Sequence, residues 1–321
     1  MTGKNKHYYR FMIEKLIYLE SVDLVEFLGV KNTKLELIKN RFPKLNILGR
    51  GNWLKAIGDA EEVAEFEEKI NQLLEHYNEY NVLTEKSLNE LLAGDVLTTP
   101  KPEGDAILFG TSGKPIKART ENQVKLVEAF KHNDLLFAVG PAGSGKTYVA
   151  IALAVSALKN RQVRRIILSR PAVEAGEKLG FLPGDMKEKI DPYLQPLYDA
   201  LQDMIPAMKL KEFLENGTIQ IAPLAFMRGR TLNDACVILD EAQNTTTNQL
   251  KMFLTRMGAH AKFIVTGDVT QIDLPNPQNS GLVQAMRILK GVKSIERVNF
   301  TVKDIVRHRL VQDIVEAYEK E

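Results

Sequence analysis

Leu135-Leu136-Phe137-Ala138-Val139-Gly140-Pro141-Ala142-Gly143-Ser144-Gly145-Lys146-Thr147 carries the chain from an unbroken apolar run into a glycine-rich turn that ends on a lysine and a threonine. Apolar residues in an unbroken row fit a strand buried on both faces. Behind the turn, 147–158 is rich in Ala, Val and Leu and fits a buried helix. Gly140 to Thr147 match G-x-x-x-x-G-K-[ST], and a strand before with a helix behind is the context this motif needs. Glycines there let backbone N–H groups converge on phosphate oxygens, and the helix N-terminus adds the positive end of its dipole. Gly140, Pro141, Ala142, Gly143, Ser144 and Gly145 are therefore expected to cradle the phosphates of ATP. Lys146 is expected to reach the β and γ phosphates, and the Thr147 hydroxyl to bind Mg²⁺.

The same alternation continues on both sides of this turn. Apolar runs at 135–139, 165–169, 218–222, 235–239, 262–266 and 293–298 are separated by helical patterns. That predicts a mononucleotide-binding α/β core, a parallel sheet with helices on both faces, which resembles the RecA-like P-loop fold. Val237-Ile238-Leu239-Asp240-Glu241 is an apolar strand ending in two acids. Asp240 stands where a carboxylate is needed to hold Mg²⁺ through a water, and Glu241 is placed to polarise the attacking water. Asp240 as a mere helix cap is disfavoured, because Thr245, Thr246 and Thr247 are better caps for the helix at 248–257.

Three further groups read two ways. Phe263-Ile264-Val265-Thr266-Gly267-Asp268-Val269-Thr270-Gln271 repeats the strand-to-edge form, and Gln271 is either a γ-phosphate sensor or part of an ordinary Gly-Asp turn. Thr120-Glu121-Asn122-Gln123 fits a capping box for the helix at 124–132, yet the Gln123 amide also offers the donor and acceptor that an adenine edge takes. Lys303-Asp304-Ile305-Val306-Arg307-His308-Arg309 reads as the opening of a helix with an apolar face at Val311, Ile314, Val315 and Tyr318. Arg307 and Arg309, with Arg230 behind them, are candidates for a guanidinium that stabilises charge built on the γ-phosphoryl group; the plainer reading is a solvated face.

Composition bounds the rest. A chain of 321 residues has room for two domains at roughly 100–200 residues each. With 44% apolar and 26% charged residues it can bury a sizeable core, which excludes disorder as the whole story. Cys236 is the single cysteine, so no disulfide or cysteine-based zinc site can form within one chain, and a cytoplasmic location is expected. The aliphatic run at 149–158 is too short for a membrane span of roughly 20 residues, and 1–10 is polar and basic without an apolar signal core. A net charge of +2 means that any basic surface for nucleic acid is local, with Lys159, Arg161, Arg164 and Arg165 one such group.

Ahead of the core, 22–80 reads as strand, helix, hairpin, helix: a strand at 22–28, a helix carrying Leu35, Ile38 and Phe42, then a hairpin around Gly49-Arg50-Gly51-Asn52. Val63, Phe66, Ile70, Leu73 and Tyr77 recur at helical spacing behind Asp59 and Glu62, a capping-box pair. Thr98-Thr99-Pro100-Lys101-Pro102-Glu103-Gly104 marks a linker, and runs at 106–109 and 115–118 are expected to flank a hairpin turn. The expected division is 1–92 as an α+β module, 93–119 as linker and hairpin, and 120–321 as the ATPase core.

Taken together these residues resemble the PhoH-like ATPases, whose core is related to superfamily 1 helicases. The resemblance runs from about Asp105 to Tyr318. It rests on Thr120-Glu121-Asn122-Gln123, the phosphate loop, Ser169-Arg170-Pro171, Leu179-Gly180-Phe181-Leu182-Pro183-Gly184-Asp185, Phe226-Met227-Arg228-Gly229-Arg230, Asp240-Glu241-Ala242-Gln243 and Gly267-Asp268-Val269-Thr270-Gln271-Ile272-Asp273. It implies an ATPase with RNA-linked roles, a ring-shaped homo-oligomer expected to be hexameric, and association with a ribosome-maturation endoribonuclease. It also favours Gln123 as adenine contact and Gln271 as γ-phosphate sensor. Residues 22–80 resemble the small KH-like domain that precedes the ATPase in many members, although Gly49-Arg50-Gly51-Asn52 lacks the G-x-x-G of a KH loop. RNA helicase activity, if the chain has it, is expected to come from an oligomer and is otherwise absent, since only about one helix follows the core. Two rivals stand beside the ATPase reading: a phosphotransferase acting on a small acceptor, and a nucleotide-gated scaffold with slow turnover.

Overall fold

The computed structural model describes residues 12–19, 22–94, 106–111, 113–171 and 186–306. The chain divides into two compact units, one formed by 1–103 with 109–114 and 205–212, the other by the remainder.

In the first unit β1 (Met12–Tyr18), β2 (Asn46–Arg50) and β3 (Trp53–Asp59) form an antiparallel sheet in the order β1-β3-β2. Helices α1 (Leu24–Leu28), α2 (Thr33–Arg41), α3 (Ala60–Tyr80) and α4 (Glu85–Ala93) complete it. Ile17, Leu54 and Ala56 from the sheet join Phe27, Ile38, Phe66, Ile70 and Leu73 from the helices in one core. Phe42 meets Phe66 edge-on with ring centroids 5.4 Å apart. The amphipathic stripe expected on α3 is the buried one, and Asp59 caps it by accepting the Glu61 N–H at 3.3 Å.

The expected strand at 22–28 is instead α1. Asp23 Oδ1 accepts the N–H groups of Val25 and Glu26 at 2.9 and 3.1 Å, which satisfies first-turn donors and commits the run to a helix. The unit's first strand is β1, which has apolar residues on both faces and so no clean alternation to read. The Gly49–Asn52 hairpin stands as expected between β2 and β3. Between α1 and α2 the chain turns at Gly29, where φ is +84° and a Cβ would collide with the Thr33 hydroxyl.

The second unit is built on six parallel strands in the order β11-β6-β10-β9-β7-β8. They are β6 (Leu135–Val139), β7 (Arg165–Arg170), β8 (Ile219–Pro223), β9 (Ala235–Leu239), β10 (Lys262–Gly267) and β11 (Ile295–Asn299). Two short strands, β4 (Ala106–Phe109) and β5 (Pro115–Lys117), pair across a turn as expected. Helices α5 (Glu121–His132) and α6 (Lys146–Lys159) lie on one face of the large sheet, and α9 (Thr247–Leu254) and α10 (Gly281–Ile288) on the other. Phe137, Val237 and Phe263 from alternate sheet positions pack with Leu250, Phe253 and Leu282 on the α9/α10 side. This is the two-faced α/β core that the apolar runs predict. Two helices unread in the sequence, α7 (Met186–Met204) and α8 (Ala207–Glu215), precede β8 in the chain, and residues 207–212 of α8 group with the first unit.

Cys236 lies inside β9, and burial pushes its thiol up to about 12. That is a packing residue rather than a reactive thiol. No helix among the described residues is long and apolar enough to cross a membrane.

After β11 the expected helix does not open at Lys303. Residues Val302–Asp304 make one 3₁₀ turn, closed because Asp304 Oδ2 accepts from Thr301 N at 2.7 Å, from Thr301 Oγ1 at 3.2 Å and from Asn122 Nδ2 at 2.8 Å. Ile305 is extended, and the Val306 N–H donates to the Gly143 carbonyl at 3.2 Å, so the segment crosses directly onto the phosphate loop. Arg307, Arg309 and the apolar positions 311–318 lie outside the described residues.

Candidate nucleotide site

Parallel strands put every strand-to-helix turn on one edge of the sheet, and there the sequence motifs converge. The phosphate loop joins β6 to α6. Gly143 and Gly145 have φ of +77° and +80°, and Gly145 is the N-cap of α6. Gly140 has φ of +153°, and a Cβ there would strike the Phe300 backbone carbonyl. Each glycine is thus required by the path of the chain, not only by a ligand. Ser144 Oγ donates to the Pro141 carbonyl at 2.8 Å, and Lys146 Nζ donates to the same carbonyl at 2.8 Å. Burial pushes the Lys146 ammonium pKa down, opposed by the carboxylates of Asp268, Glu241 and Asp240, which favour its charged form.

Asp240 follows β9, two strands from the loop, with β10 between them. It is 2% exposed. Its Oδ1 accepts from the hydroxyls of Thr147 and Thr266, both at 2.6 Å, and its Oδ2 accepts from Arg170 Nε at 2.8 Å. The Arg170 guanidinium also lies 3.5 Å from Glu241 Oε1 and donates to the Tyr193 carbonyl at 2.7 Å. The structure thus brings Thr147 and Asp240 within one hydrogen bond of each other. A hydroxyl and a carboxylate beside a phosphate loop are hard oxygen donors of the type Mg²⁺ takes, with phosphate oxygens and water completing its shell.

Glu241 has a left-handed backbone, φ 54° and ψ 38°, unusual for a residue with a long side chain. Its carboxylate is 42% exposed and accepts from Gln243 Nε2 at 2.6 Å. Gln243 is almost fully buried and works as a hub, since Nε2 also donates to the Gln271 carbonyl at 3.1 Å and Oε1 accepts the Asp268 N–H at 3.0 Å. Asp268 Oδ2 in turn accepts the Ala142 N–H at 3.0 Å, tying β10 to the phosphate loop. Gln271 is brought to this edge through its backbone, while the residue as a whole is exposed.

Gln123 reaches the loop from α5. Oε1 accepts the Arg119 N–H at 2.8 Å and Nε2 donates to the Ser144 carbonyl at 2.9 Å. Thr120 Oγ1 accepts the Gln123 N–H at 3.3 Å as N-cap. The side chain thus braces the phosphate loop, and an adenine contact would use its second lone pair and second proton. Arg230 instead donates to Gln220 Oε1 at 2.6 Å, beside β8. The signature at 179–185 lies outside the described residues.

Sequence reasoning gives no role to Arg170, Thr266, Gln243 or Asp268. Arg170 carries the same signal that picks out Asp240, a polar residue closing an apolar strand. Gln243 stands in a stretch that carries the family resemblance, but its role is not readable there, because only the fold brings it between two loops.

A glycine-rich turn leading into a helix, with an acid on a parallel strand bonded to the turn's threonine, defines a P-loop nucleotide-binding protein of the α/β class. The sequence profile of the PhoH-like protein family matches 115–319. The PhoH-like protein of Bacillus subtilis (strain 168) is 46% identical over 308 residues, covering 93% of this chain and 95% of that one. The PhoH-like protein of Mycobacterium tuberculosis (strain ATCC 25618 / H37Rv) is 50% identical over 272 residues, covering 84% and 77%. The chain belongs to the PhoH-like family. Among solved structures, the large terminase of a thermophilic bacteriophage aligns at a TM-score of 0.38 and 13% identity, over 62% of this chain and 50% of that one.

Proposed function

We propose that the protein is a Mg²⁺-dependent ATPase that couples hydrolysis to work on RNA or a ribonucleoprotein, as a cytoplasmic, hexameric ring. The observation that carries the ATPase reading is the convergence of Lys146, Thr147, Asp240, Glu241 and Arg170 at the phosphate loop. Gly140 to Gly145 cradle the phosphates, with backbone N–H groups from Gly143 onward as the donors, and Lys146 exchanges the Pro141 carbonyl for a phosphate oxygen. Thr147, and Asp240 through a water, would hold Mg²⁺, which would neutralise charge on the phosphates. Arg170 holds Asp240 in place through its Nε–H bond to Oδ2. Glu241, open to solvent yet tethered by Gln243, takes the proton of the attacking water. Its access to water supports hydrolysis over transfer to a small acceptor. Gln123 is assigned to the adenine and Gln271 to sensing the γ-phosphate. Arg307 and Arg309 are assigned to completing a neighbour's site, with head-to-tail packing closing a ring. RNA-linked work and an endoribonuclease partner rest on the family resemblance.

The test compares two variants. Lys146→Ala is expected to weaken ATP binding. Glu241→Gln is expected to bind ATP nearly as the parent does and to hydrolyse it more slowly by a factor on the order of 10²–10⁴, the range of general-base effects. Parent-rate hydrolysis by Glu241→Gln in a steady-state assay would remove Glu241 from the role of base. Turnover measured with and without RNA tests the coupling.

A further inference from the structure

Among the described residues, the helices of the first unit bury only one face of its sheet. On the other face the register sets residues of three strands in rows: Tyr18 pairs with Trp53, which pairs with Arg50, and one row on, Leu16 pairs with Lys55, which pairs with Leu48. Tyr18 is 54% exposed, Leu16, Leu48 and Arg50 are exposed too, and Trp53 is half-buried between its neighbours. The inward neighbours Ile17 and Leu54 are buried, so the outward set is fixed by strand alternation. Aromatic and aliphatic groups left open on one sheet face have a solvation cost that argues for a use.

The geometry points to this face as a stacking platform for unpaired bases of single-stranded RNA, with Tyr18 and Trp53 as the platform and Arg50 at its edge. This assignment rests on the RNA-linked reading above and gives it a place in the fold. An aromatic ring offers its face to any base, and a guanidinium beside it can stack or meet a phosphate. Charge is distributed accordingly. Lys55 is neutralised by Glu14 at 2.6 Å, and Asp59 at the far end caps α3, which among the described residues leaves the aromatic end to Arg50. The same Lys55–Glu14 pair interrupts the apolar surface across its middle. A face-to-face contact with a second copy would bury that pair at a desolvation cost, whereas a strand of nucleic acid lying along the aromatic end need not cover it.

Trp53 is the chain's only tryptophan, so its emission reports this face alone. Titration of the full chain with a single-stranded oligouridine is expected to quench Trp53. Tyr18→Ala and Arg50→Glu should each weaken RNA retention, the former by about five- to a hundredfold, as for loss of one stacked base. Both side chains are exposed, and unchanged circular dichroism would show that the fold survives. Val25→Ala, at an exposed residue of α1, should bind as the parent. Retention that is lost in Arg164→Glu but intact in Tyr18→Ala and Arg50→Glu would overturn the platform and leave the RNA reading standing. No retention by the parent would overturn both. Equal competition by duplex RNA, whose bases are already stacked, would overturn the platform. So would a Trp53 emission that shifts with protein concentration rather than with RNA, since the occupant would then be a second copy.

Discussion

Replacing Gln243 by methionine isolates what the hub does. The two side chains are close in volume, so no cavity is opened, and the change removes three hydrogen bonds: to Glu241 Oε2, to the Gln271 carbonyl and from the Asp268 N–H. These losses are unequal. The Asp268 amide is buried and keeps no partner, a penalty of about 1–3 kcal/mol. Residue 271 is exposed, so its carbonyl can turn to water, and the Glu241 carboxylate at 42% exposure is rehydrated at little cost. The second unit should therefore lose about 1–3 kcal/mol, a few degrees in Tm. Catalysis should suffer more than stability. Glu241 would keep only the Arg170 contact at 3.5 Å, the outer limit of a hydrogen bond, and would sample orientations that miss the attacking water. Loss of positioning of this kind costs on the order of 10- to 100-fold in turnover. ATP affinity should change little, because Lys146 and Thr147 have no hydrogen bond to Gln243. Phosphate release under saturating ATP, binding of a fluorescent ATP analogue and thermal unfolding together make the assay. Turnover within a factor of about two of the parent, with binding intact, would show that Glu241 needs no tether and that the hub is structural only.

Gly140→Ala should fail to accumulate as folded protein or lose several degrees in Tm even without nucleotide, because its Cβ would meet the Phe300 backbone and no side chain can give way; an unchanged Tm would refute the close approach. Asp304 should make stability acid-sensitive: burial raises its pKa, but hydrogen bonds from Thr120, Asn122 and Thr301 outweigh that and lower it from 3.8 to about 2. The folded-state pKa is depressed, so the carboxylate contributes about 2 kcal/mol above roughly pH 4 and loses it as pH falls toward about 2. Asp304→Asn should flatten that part of an acid-unfolding profile, and parallel profiles for variant and parent would contradict the assignment. Chains carrying Lys146→Ala, mixed with chains carrying both Arg307→Ala and Arg309→Ala, should regain ATPase activity that neither has alone; no recovery in demonstrably mixed rings would exclude an arginine acting between subunits.

How far the sequence discloses this molecule depends on the range of each signal. The phosphate loop, Thr147 and Asp240 are legible because each is a local pattern: an apolar strand, then the polar residue that the strand delivers to the sheet edge. The sheet order supplies what locality cannot, since Thr147 and Asp240 stand 93 positions apart and meet at 2.6 Å only because β10 alone separates their strands. The strand that carries Asp240 is legible as a strand, whereas its neighbour in space is not. Gln243 shows the limit. It follows Glu241 by two residues and has an ordinary amide, and nothing nearby in sequence says that its side-chain oxygen will meet the Asp268 N–H, 25 positions on. In the first unit the failure has a different cause. The apolar run at 22–28 looks extended until Asp23 is seen to cap it, and β1 escapes notice because Met12, Leu16 and Tyr18 put apolar groups on the face that faces solvent. Alternation marks a strand only where one side is polar. The pattern that hides β1 is thus the same pattern that leaves Tyr18 open beside Trp53, and a strand that sequence cannot assign in a compact unit is itself a pointer to a surface that something else must cover.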